Sequence, residues 1–195
     1  MKLVLASQSP RRQELLEKAG YELDIRPANF SEKSGSGKEA AEVVLLNAKG
    51  KCQEIVQQVG DAVPVVGADT VVVIDGKIIG KPRNADDAVT TLSILSNRKH
   101  QVLTGIAVAC QGKLVAEVAA TDVYFKKLSK KEIADYVATG EPLDKAGSYG
   151  IQGRGGFMVD HIEGNFDNVM GLDIDTVRRL LKKIKVGGNE RIQGQ

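Results

Sequence analysis

Apolar and polar residues follow two different periods along this chain, and each period predicts a type of element. Short apolar or alternating runs predict strands at residues 2–6, 21–26, 63–68, 71–74, 77–79, 101–110, 114–126 and 157–162. Apolar positions three and four residues apart predict helices at residues 10–19, 38–59, 84–95, 129–139 and 173–184. Because the chain mixes helices with hairpin strands and buried strands, the pattern predicts a mixed α/β fold around a curved, mostly antiparallel sheet.

Turn and cap residues mark the ends of these elements. Asp75-Gly76 and Gln111-Gly112 each separate two strand-like runs and predict tight hairpins, the first with a type I′ turn. Ser129 with Glu132 three residues later is a capping box, and Ser9 before a proline marks the start of the first helix. We expect one domain over residues 1–186, followed by a C-terminal tail at 187–195.

Charge and composition exclude several functional classes. The 195 residues include 27 basic and 25 acidic ones, and this balance argues against a general nucleic-acid binder, which needs a basic field. Aromatic residues make up only 4% and Trp is absent, so a base-stacking surface is not expected either. We expect a soluble cytosolic protein, because the first apolar run is too short for a signal peptide and no stretch has the length of a membrane span.

The cysteines and histidines do not form a metal-binding motif. Cys52 and Cys110 lie far apart without CxxC spacing, and His100 and His161 are equally isolated. A structural zinc site is therefore not expected. We expect both cysteines to be reduced and mostly buried, as is usual in cytosolic proteins.

The first candidate site is the start of the first predicted helix, in the run Ser7-Gln8-Ser9-Pro10-Arg11-Arg12. The free N–H groups and the partial positive charge of a helix start attract anions. Two arginines in that first turn are disfavoured by the helix dipole, which suggests a function such as a triphosphate clamp made with the two serine hydroxyls. A capped helix with solvated arginines is an equally weighted alternative.

The second candidate is Asp69, which with Thr70 directly follows the apolar run at 63–68. Ligands of α/β proteins gather at strand ends, and a carboxylate there can hold a divalent cation or orient a water molecule. The alternative is an aspartate that caps a turn through its own backbone. Four charged residues are weaker candidates, because most such side chains are merely solvated. The lysines suit phosphate and the glutamate suits a metal ion: Lys49, Lys51, Lys81 and Glu32.

The third candidate is the loop at 140–156, which contains six glycines. A loop of that length in a compact domain is usually functional, and glycine lets the backbone approach a ligand closely. Within it, Gln152 carries both a donor and an acceptor, the pair needed to read the imide edge of a pyrimidine. The alternative is a structural loop in which Gln152 bonds to backbone.

Five segments, taken in order, resemble the Maf family, whose members resemble nucleotide pyrophosphatases. They are Leu5-Ala6-Ser7-Gln8-Ser9-Pro10-Arg11-Arg12, Gly67-Ala68-Asp69-Thr70, Gly80-Lys81-Pro82, the run at 144–153 and Val169-Met170-Gly171-Leu172. The resemblance extends from Leu5 to about Leu180, nearly the whole chain. It implies a single α/β domain of Maf/ITPase-like fold, with a curved mixed sheet flanked by helices and a central cleft.

The resemblance also implies roles for particular residues. The run from Asp144 to Gly153 is similar to the branch of the family that acts on dTTP and UTP. By this resemblance Asp69 is the catalytic acid–base residue, and the specificity residues are Arg11, Thr70 and Gln152. The remaining polar residues of the implied pocket are Ser7, Arg12, Glu32, Lys49 and Lys81, with Lys49 preferred to Lys51.

The expected reaction is metal-assisted hydrolysis of a nucleoside triphosphate at its α-phosphate, which gives the monophosphate and pyrophosphate. Asp69 and Glu32 are the expected ligands of one Mg²⁺ or Mn²⁺. A nucleotide-sensing regulator of cell division or septum formation is the alternative, since it needs the basic residues but not Asp69. Neither stable nucleic-acid binding nor a membrane is expected, and a homodimer is left open.

Overall fold

The computed structural model describes residues 1–33 and 39–186, which contain seven strands, six α-helices and three short 3₁₀ turns. The strands are β1 (Lys2–Leu5), β2 (Glu22–Ile25), β3 (Val65–Ile74), β4 (Lys77–Ile79), β5 (Lys99–Cys110), β6 (Lys113–Phe125) and β7 (Val159–Glu163). The helices are α1 (Pro10–Lys18), α2 (Ala40–Val59), α3 (Ala85–Leu95), α4 (Lys130–Ala138), α5 (Phe166–Met170) and α6 (Ile174–Val186). The 3₁₀ turns are Glu141–Asp144, Ala146–Ser148 and Arg154–Met158.

The strands form a mixed sheet in the order β2-β1-β3-β5-β6-β7, with β4 paired to β3. β1 is parallel to β2 and β3, whereas β3 with β4 and β6 with β7 are antiparallel. Both predicted two-residue turns have positive φ at their two central positions, 50° and 71° at Asp75 and Gly76, and 50° and 74° at Gln111 and Gly112. The predictions of an α/β fold, a mixed sheet and two tight hairpin turns are confirmed.

Strand β3 is longer than its prediction. It continues unbroken from Val65 to Ile74 and passes through Asp69 and Thr70, so the prediction that Asp69 follows the end of a strand is wrong. The strand changes partners along its length: residues 65–66 pair with β1, and residues 72–74 pair with β4. Asp69 therefore lies between two paired stretches of one strand.

By its internal contacts the chain divides into two compact units. The first unit comprises residues 1–69, 104–119 and 171 onward, and the second comprises residues 70–103 and 120–170. Each has its own buried core, which in the first unit includes Val4, Ala48, Ile55, Val65 and Ala107 and in the second Leu92, Val123, Phe125, Tyr136 and Met158. That residues 1–186 act as one domain stays a prediction, and the predicted tail at 187–195 lies outside the described residues.

Two glycines let helix α2 pack directly on the sheet in the first unit. A Cβ atom on Gly67 of β3 would lie 2.4 Å from the carbonyl oxygen of Ala48, and one on Gly105 of β5 would lie 2.2 Å from that of Val44. These distances are too short for any real Cβ, so the approach requires glycine at both positions. It brings the polar side chains of α2 against β3.

The two cysteines and the helices can be compared with their predictions. Cys52 and Cys110 are buried and free, as expected, and burial raises the pKa of the Cys52 thiol to about 12. No helix in the described part of the chain combines the length and the apolar character that a membrane span requires. The start predicted for the second helix, at residue 38, lies outside the described residues. Helix α5 was not predicted.

Candidate active site

The segment between β1 and α1 fixes the side chain of Arg12 from two directions. The Ser7 hydroxyl accepts hydrogen bonds from the backbone N–H of Ser9 and from Nη1 of Arg12, both at 3.2 Å. Nε of Arg12 donates to the carbonyl oxygen of Gly171 at 2.9 Å. Ser9 occupies the N-cap position of α1 as predicted, but its side chain makes no capping hydrogen bond. Arg12 is thus held by protein groups rather than by solvent alone.

The electrostatic surroundings of the arginine pair suit an anionic ligand. Burial lowers the pKa of the Arg12 guanidinium, and the positive charge of Arg11 lowers it further. The carboxylate of Asp69 opposes this shift, and that of Glu32 opposes it to a smaller extent. Arg12 is therefore within electrostatic range of both carboxylates. Nε of Arg11 is buried without a hydrogen-bond partner among the described residues. A buried donor left in this state is costly, and a ligand that accepts its hydrogen bond would offset the cost.

The carboxylate of Asp69 is held by two side chains of helix α2. Asp69 is only 6% exposed. Its Oδ1 accepts from Nζ of Lys51 at 2.8 Å, and its Oδ2 accepts from Nδ2 of Asn47 at 2.9 Å. Asn47 and Lys51 are four residues apart and so lie on the same face of the helix. Asp69 bonds to a neighbouring element rather than capping its own backbone, which excludes the turn-capping alternative.

The same two residues of α2 fasten the loop that precedes the helix. Nζ of Lys51 lies 2.6 Å from Oε1 of Glu32. Asn47 accepts from the backbone N–H of Lys33 at 2.7 Å and donates to the carbonyl oxygen of Lys33 at 3.2 Å. As a result, Lys51 joins two carboxylates, and Asn47 keeps the backbone next to Glu32 against the helix.

Lys49, which we preferred to Lys51 from the sequence, is placed elsewhere. It lies two residues from Lys51, about 200° around the helix. Its side chain lines a cavity of about 360 Å³ together with Phe30, Lys33, Leu46, Gly50 and Gln53. Lys33 is bonded to Asn47 through its backbone, whereas Lys49 lies on a different side of α2 from Asn47 and Lys51. The structure therefore places Lys51, not Lys49, against the predicted catalytic carboxylate.

Two carboxylate oxygens converge on a single cationic group in this site. Oδ1 of Asp69 and Oε1 of Glu32 both contact Nζ of Lys51. Mg²⁺ is usually bound by one or two carboxylates, with substrate phosphates and water completing its shell. No group of three or more His, Cys, Asp or Glu side chains that could hold a metal occurs among residues for which the structure gives side chains. The carboxylates of Asp69 and Glu32, which both contact Lys51, could supply two ligands to a divalent cation only if substrate phosphates and water supplied the others.

The other predicted residues belong to the second unit. Lys81 is exposed between β4 and α3. The carbonyl oxygen of its neighbour Gly80 accepts from the backbone N–H of Gly147 at 3.0 Å, which ties this connection to the glycine-rich loop. Gln152 is exposed at a bend of that loop, and Thr70 is half-buried in β3. The exposed side chain of Gln152 is available to a ligand.

Asn47 and Lys51 are the residues that sequence reasoning missed or ranked too low. Asn47 is buried in the middle of a helix, where a polar side chain needs a specific partner. That residue and a lysine four positions later form a polar pair on an otherwise apolar helix face. This spacing was the available signal, but it does not say which strand the pair contacts.

Comparison with known proteins assigns the family. A family model described as Maf-like protein matches residues 2–184. A dTTP/UTP pyrophosphatase of Bacillus pumilus (strain SAFR-032) is 44% identical over 180 residues, which cover 92% of this chain and 95% of that protein. A dTTP/UTP pyrophosphatase of Vibrio vulnificus (strain YJ016) is 46% identical over 180 residues, covering 92% and 97%. The chain belongs to the Maf-like protein family, and the predicted resemblance is confirmed.

A solved structure shows the same general fold at low sequence identity. The Ham1 protein of Staphylococcus aureus aligns with a TM-score of 0.51 at 12% identity, over 97% of this chain and 100% of that one. At such identity the likeness concerns the fold alone. It supports the predicted α/β fold.

Proposed function

We propose that this protein hydrolyses dTTP and UTP to the corresponding nucleoside monophosphate and pyrophosphate. Relatives named for this activity are 44% and 46% identical over 92% of the chain. The structural observation that carries the proposal is the group formed by Asp69, Lys51 and Glu32 within electrostatic range of Arg12. It combines a fixed carboxylate with several cations, as phosphoryl transfer requires.

The cationic residues stabilise the triphosphate and the leaving pyrophosphate. Arg11 contributes its buried, unpartnered Nε, and Arg12 is oriented by the Ser7 hydroxyl. Guanidinium groups bind phosphate oxygens through paired donors, while the ammonium groups of Lys51 and Lys81 act as point charges. In this proposal Lys51 takes the role that the sequence suggested for Lys49.

Asp69 orients the attacking water and accepts its proton. The bonds from Asn47 and Lys51 keep one carboxylate geometry, so little reorganisation is needed when the substrate binds. General-base catalysis of this kind contributes roughly 10²–10⁴ in rate. A divalent cation, Mg²⁺ or Mn²⁺, bound by Asp69 and Glu32 would neutralise charge on the phosphate oxygens.

Base recognition is proposed for Gln152, with Arg11 and Thr70 as further specificity residues. The amide of Gln152 can donate to the C4 carbonyl and accept from the N3–H that uracil and thymine share. Cytosine reverses this pattern. A site that hydrogen-bonds one edge rejects the wrong base, because its own polar groups are then left unpaired.

The reaction is tested by incubating the protein with dTTP and Mg²⁺ or Mn²⁺ and measuring pyrophosphate and orthophosphate separately. We expect dTMP and pyrophosphate. Formation of dTDP and orthophosphate would contradict cleavage between the α and β phosphates. A protein that binds dTTP without hydrolysing it would instead support the nucleotide-sensing alternative.

The role of Asp69 is tested by Asp69→Asn, with Asp160→Asn as the control. Asp160 is an exposed aspartate paired with His161, in the second unit. We expect Asp69→Asn to lower turnover by at least roughly 10²-fold in a folded protein, and Asp160→Asn to leave it unchanged. Near-normal turnover in folded Asp69→Asn would remove Asp69 from the mechanism.

A further inference from the structure

We propose that Glu141 is a positioning residue that sets the backbone around Gln152 and thereby determines the choice of base. The inference rests on the proposed function, since it assigns a residue that acts through the proposed base reader. The supporting observation is a network of hydrogen bonds that joins Glu141 to the glycine-rich loop. The proposed function above gives Glu141 no role.

The carboxylate of Glu141 is an acceptor for three donors. Its Oε1 accepts from the hydroxyl of Tyr136 at 3.0 Å and from the backbone N–H of Gly155 at 3.3 Å. Its Oε2 accepts from the backbone N–H of Arg154 at 3.0 Å. Two of the three donors are therefore backbone groups that follow Gln152 by two and three residues.

The backbone before Gln152 is fastened to the same network. The hydroxyl of Tyr136, which donates to Glu141, accepts from the backbone N–H of Gly150 at 3.2 Å. Tyr136 is a buried residue of α4 and a member of the core of the second unit. Residues on both sides of Gln152 are thus attached, through Glu141 and Tyr136, to helix α4.

Two glycines of the loop lie directly against this network. A Cβ atom on Gly153 would lie 2.3 Å from Oε1 of Glu141, and one on Gly155 would lie 2.7 Å from the hydroxyl oxygen of Tyr136. Both distances are shorter than real Cβ contacts, so a side chain at either position would displace the Glu141 carboxylate or the Tyr136 hydroxyl from the hydrogen bonds described above. At these two positions glycine serves the packing of the loop on Glu141 and Tyr136.

The protonation states of Glu141 and Tyr136 fix which of the two donates and which accepts. Burial acts to raise the pKa of Glu141, but the bonds from Arg154, Tyr136 and Gly155 outweigh it and hold that pKa below its ordinary value. Burial raises the pKa of Tyr136. At neutral pH the carboxylate of Glu141 is ionised and accepts, and the hydroxyl of Tyr136 is protonated and donates.

Removal of this network should change base choice more than triphosphate binding. The side chain of Gln152 is exposed and its orientation depends on the backbone that carries it. A misplacement of about 1 Å is enough to weaken a directional hydrogen bond, and rates can fall by about 10²-fold from such an error. The proposed phosphate-binding residues have no part in the Glu141 network.

The experiment compares kcat/KM for dTTP and CTP in the wild type, Glu141→Gln and Tyr136→Phe, with Glu132→Gln as the control. Both carboxylate oxygens of Glu141 accept hydrogen bonds, so in Glu141→Gln the amide NH₂ group must face one of these donors and its bond is lost. Tyr136→Phe removes only the hydroxyl group, which bonds to Glu141 and Gly150. Glu132 also accepts backbone and hydroxyl hydrogen bonds, but in the capping box of α4. We expect the dTTP-to-CTP ratio to fall by about tenfold in Glu141→Gln, less in Tyr136→Phe, and not at all in Glu132→Gln.

Unchanged ratios in folded Glu141→Gln and Tyr136→Phe, beside a selective wild type, would overturn this inference alone. An equal fall in Glu132→Gln would do the same, because general destabilisation would then explain the loss. If Glu141→Gln does not fold, Tyr136→Phe decides the question. A wild type that does not distinguish dTTP from CTP would overturn the proposed base specificity, and this inference with it.

Discussion

Replacing Lys51 by Met should remove the cation that holds Asp69 and Glu32 together. The side chain of Lys51 is 12% exposed and that of Asp69 is 9% exposed, whereas the side chain of Glu32 is 58% exposed. Methionine keeps an unbranched apolar stem of similar length, so the substitution deletes the ammonium group and little packing. Lys49→Met, on the same helix but outside this group, is the matched control.

The expected loss of stability comes from the buried half of the interaction. Deleting one partner of a buried ion pair costs about 3–5 kcal/mol, because the other charge is left uncompensated. Asp69 keeps its hydrogen bond from Asn47 at 2.9 Å, so we expect a loss near the lower end, about 3 kcal/mol. The exposed contact with Glu32 adds little. Lys49→Met should change the free energy of unfolding by less than about 0.5 kcal/mol.

The assay is urea unfolding at neutral pH, followed for the two single variants and for Lys51→Met combined with Asp69→Asn. The double variant carries no unpaired buried charge, so it should be more stable than Lys51→Met alone. Lys51→Met should also slow pyrophosphate release by roughly 10-fold or more, since it removes a charge next to the proposed phosphate site. A Lys51→Met protein as stable and active as Lys49→Met would show that Lys51 neither stabilises buried Asp69 nor contributes to the reaction.

Three further predictions concern pH, packing and base choice. Burial lowers the pKa of His100 from 6.5 to about 4, so the unfolded state binds more protons between these pH values. The contribution of His100 to stability should be complete above pH 6.5 and should fall by about 3 kcal/mol as the pH drops to about 4. Urea unfolding of His100→Gln should lack this part of the pH dependence. Gly105→Ala places a methyl group 2.2 Å from the carbonyl oxygen of Val44 and should lower stability by about 1–3 kcal/mol. Gly80→Ala, where no atom lies within 4 Å of the added Cβ, is its control in the same unfolding assay. Gln152→Leu should narrow the preference for dTTP and UTP in kcat/KM more than it weakens triphosphate binding, and an unchanged ranking would contradict its role.

Features set by neighbouring residues along the chain were predicted well. The turns at 75–76 and 111–112 and the capping box of Ser129 and Glu132 depend on local backbone conformation and on residues within a few positions. The continuity of β3 was not predicted, because Asp69 and Thr70 interrupt its apolar run and separate two predicted strands. A strand is maintained by backbone pairing with its neighbours in the sheet, which for β3 are β1, β5 and β4, and a local apolar pattern does not show that pairing. Helix α5 has only five residues, too few for a periodic signal.

The chemical groups of the site can be read from local motifs, but which of these groups come into contact depends on the packing of distant segments. The ordered motifs were enough to select Arg11, Arg12 and Asp69. Helical spacing also shows that Lys49 and Lys51 point in different directions, but it does not show which of the two faces Asp69. That choice depends on how α2 is rotated on the sheet, and the rotation follows from the close contacts at Gly67 and Gly105. Such contacts join residues far apart in sequence, so no local pattern encodes them.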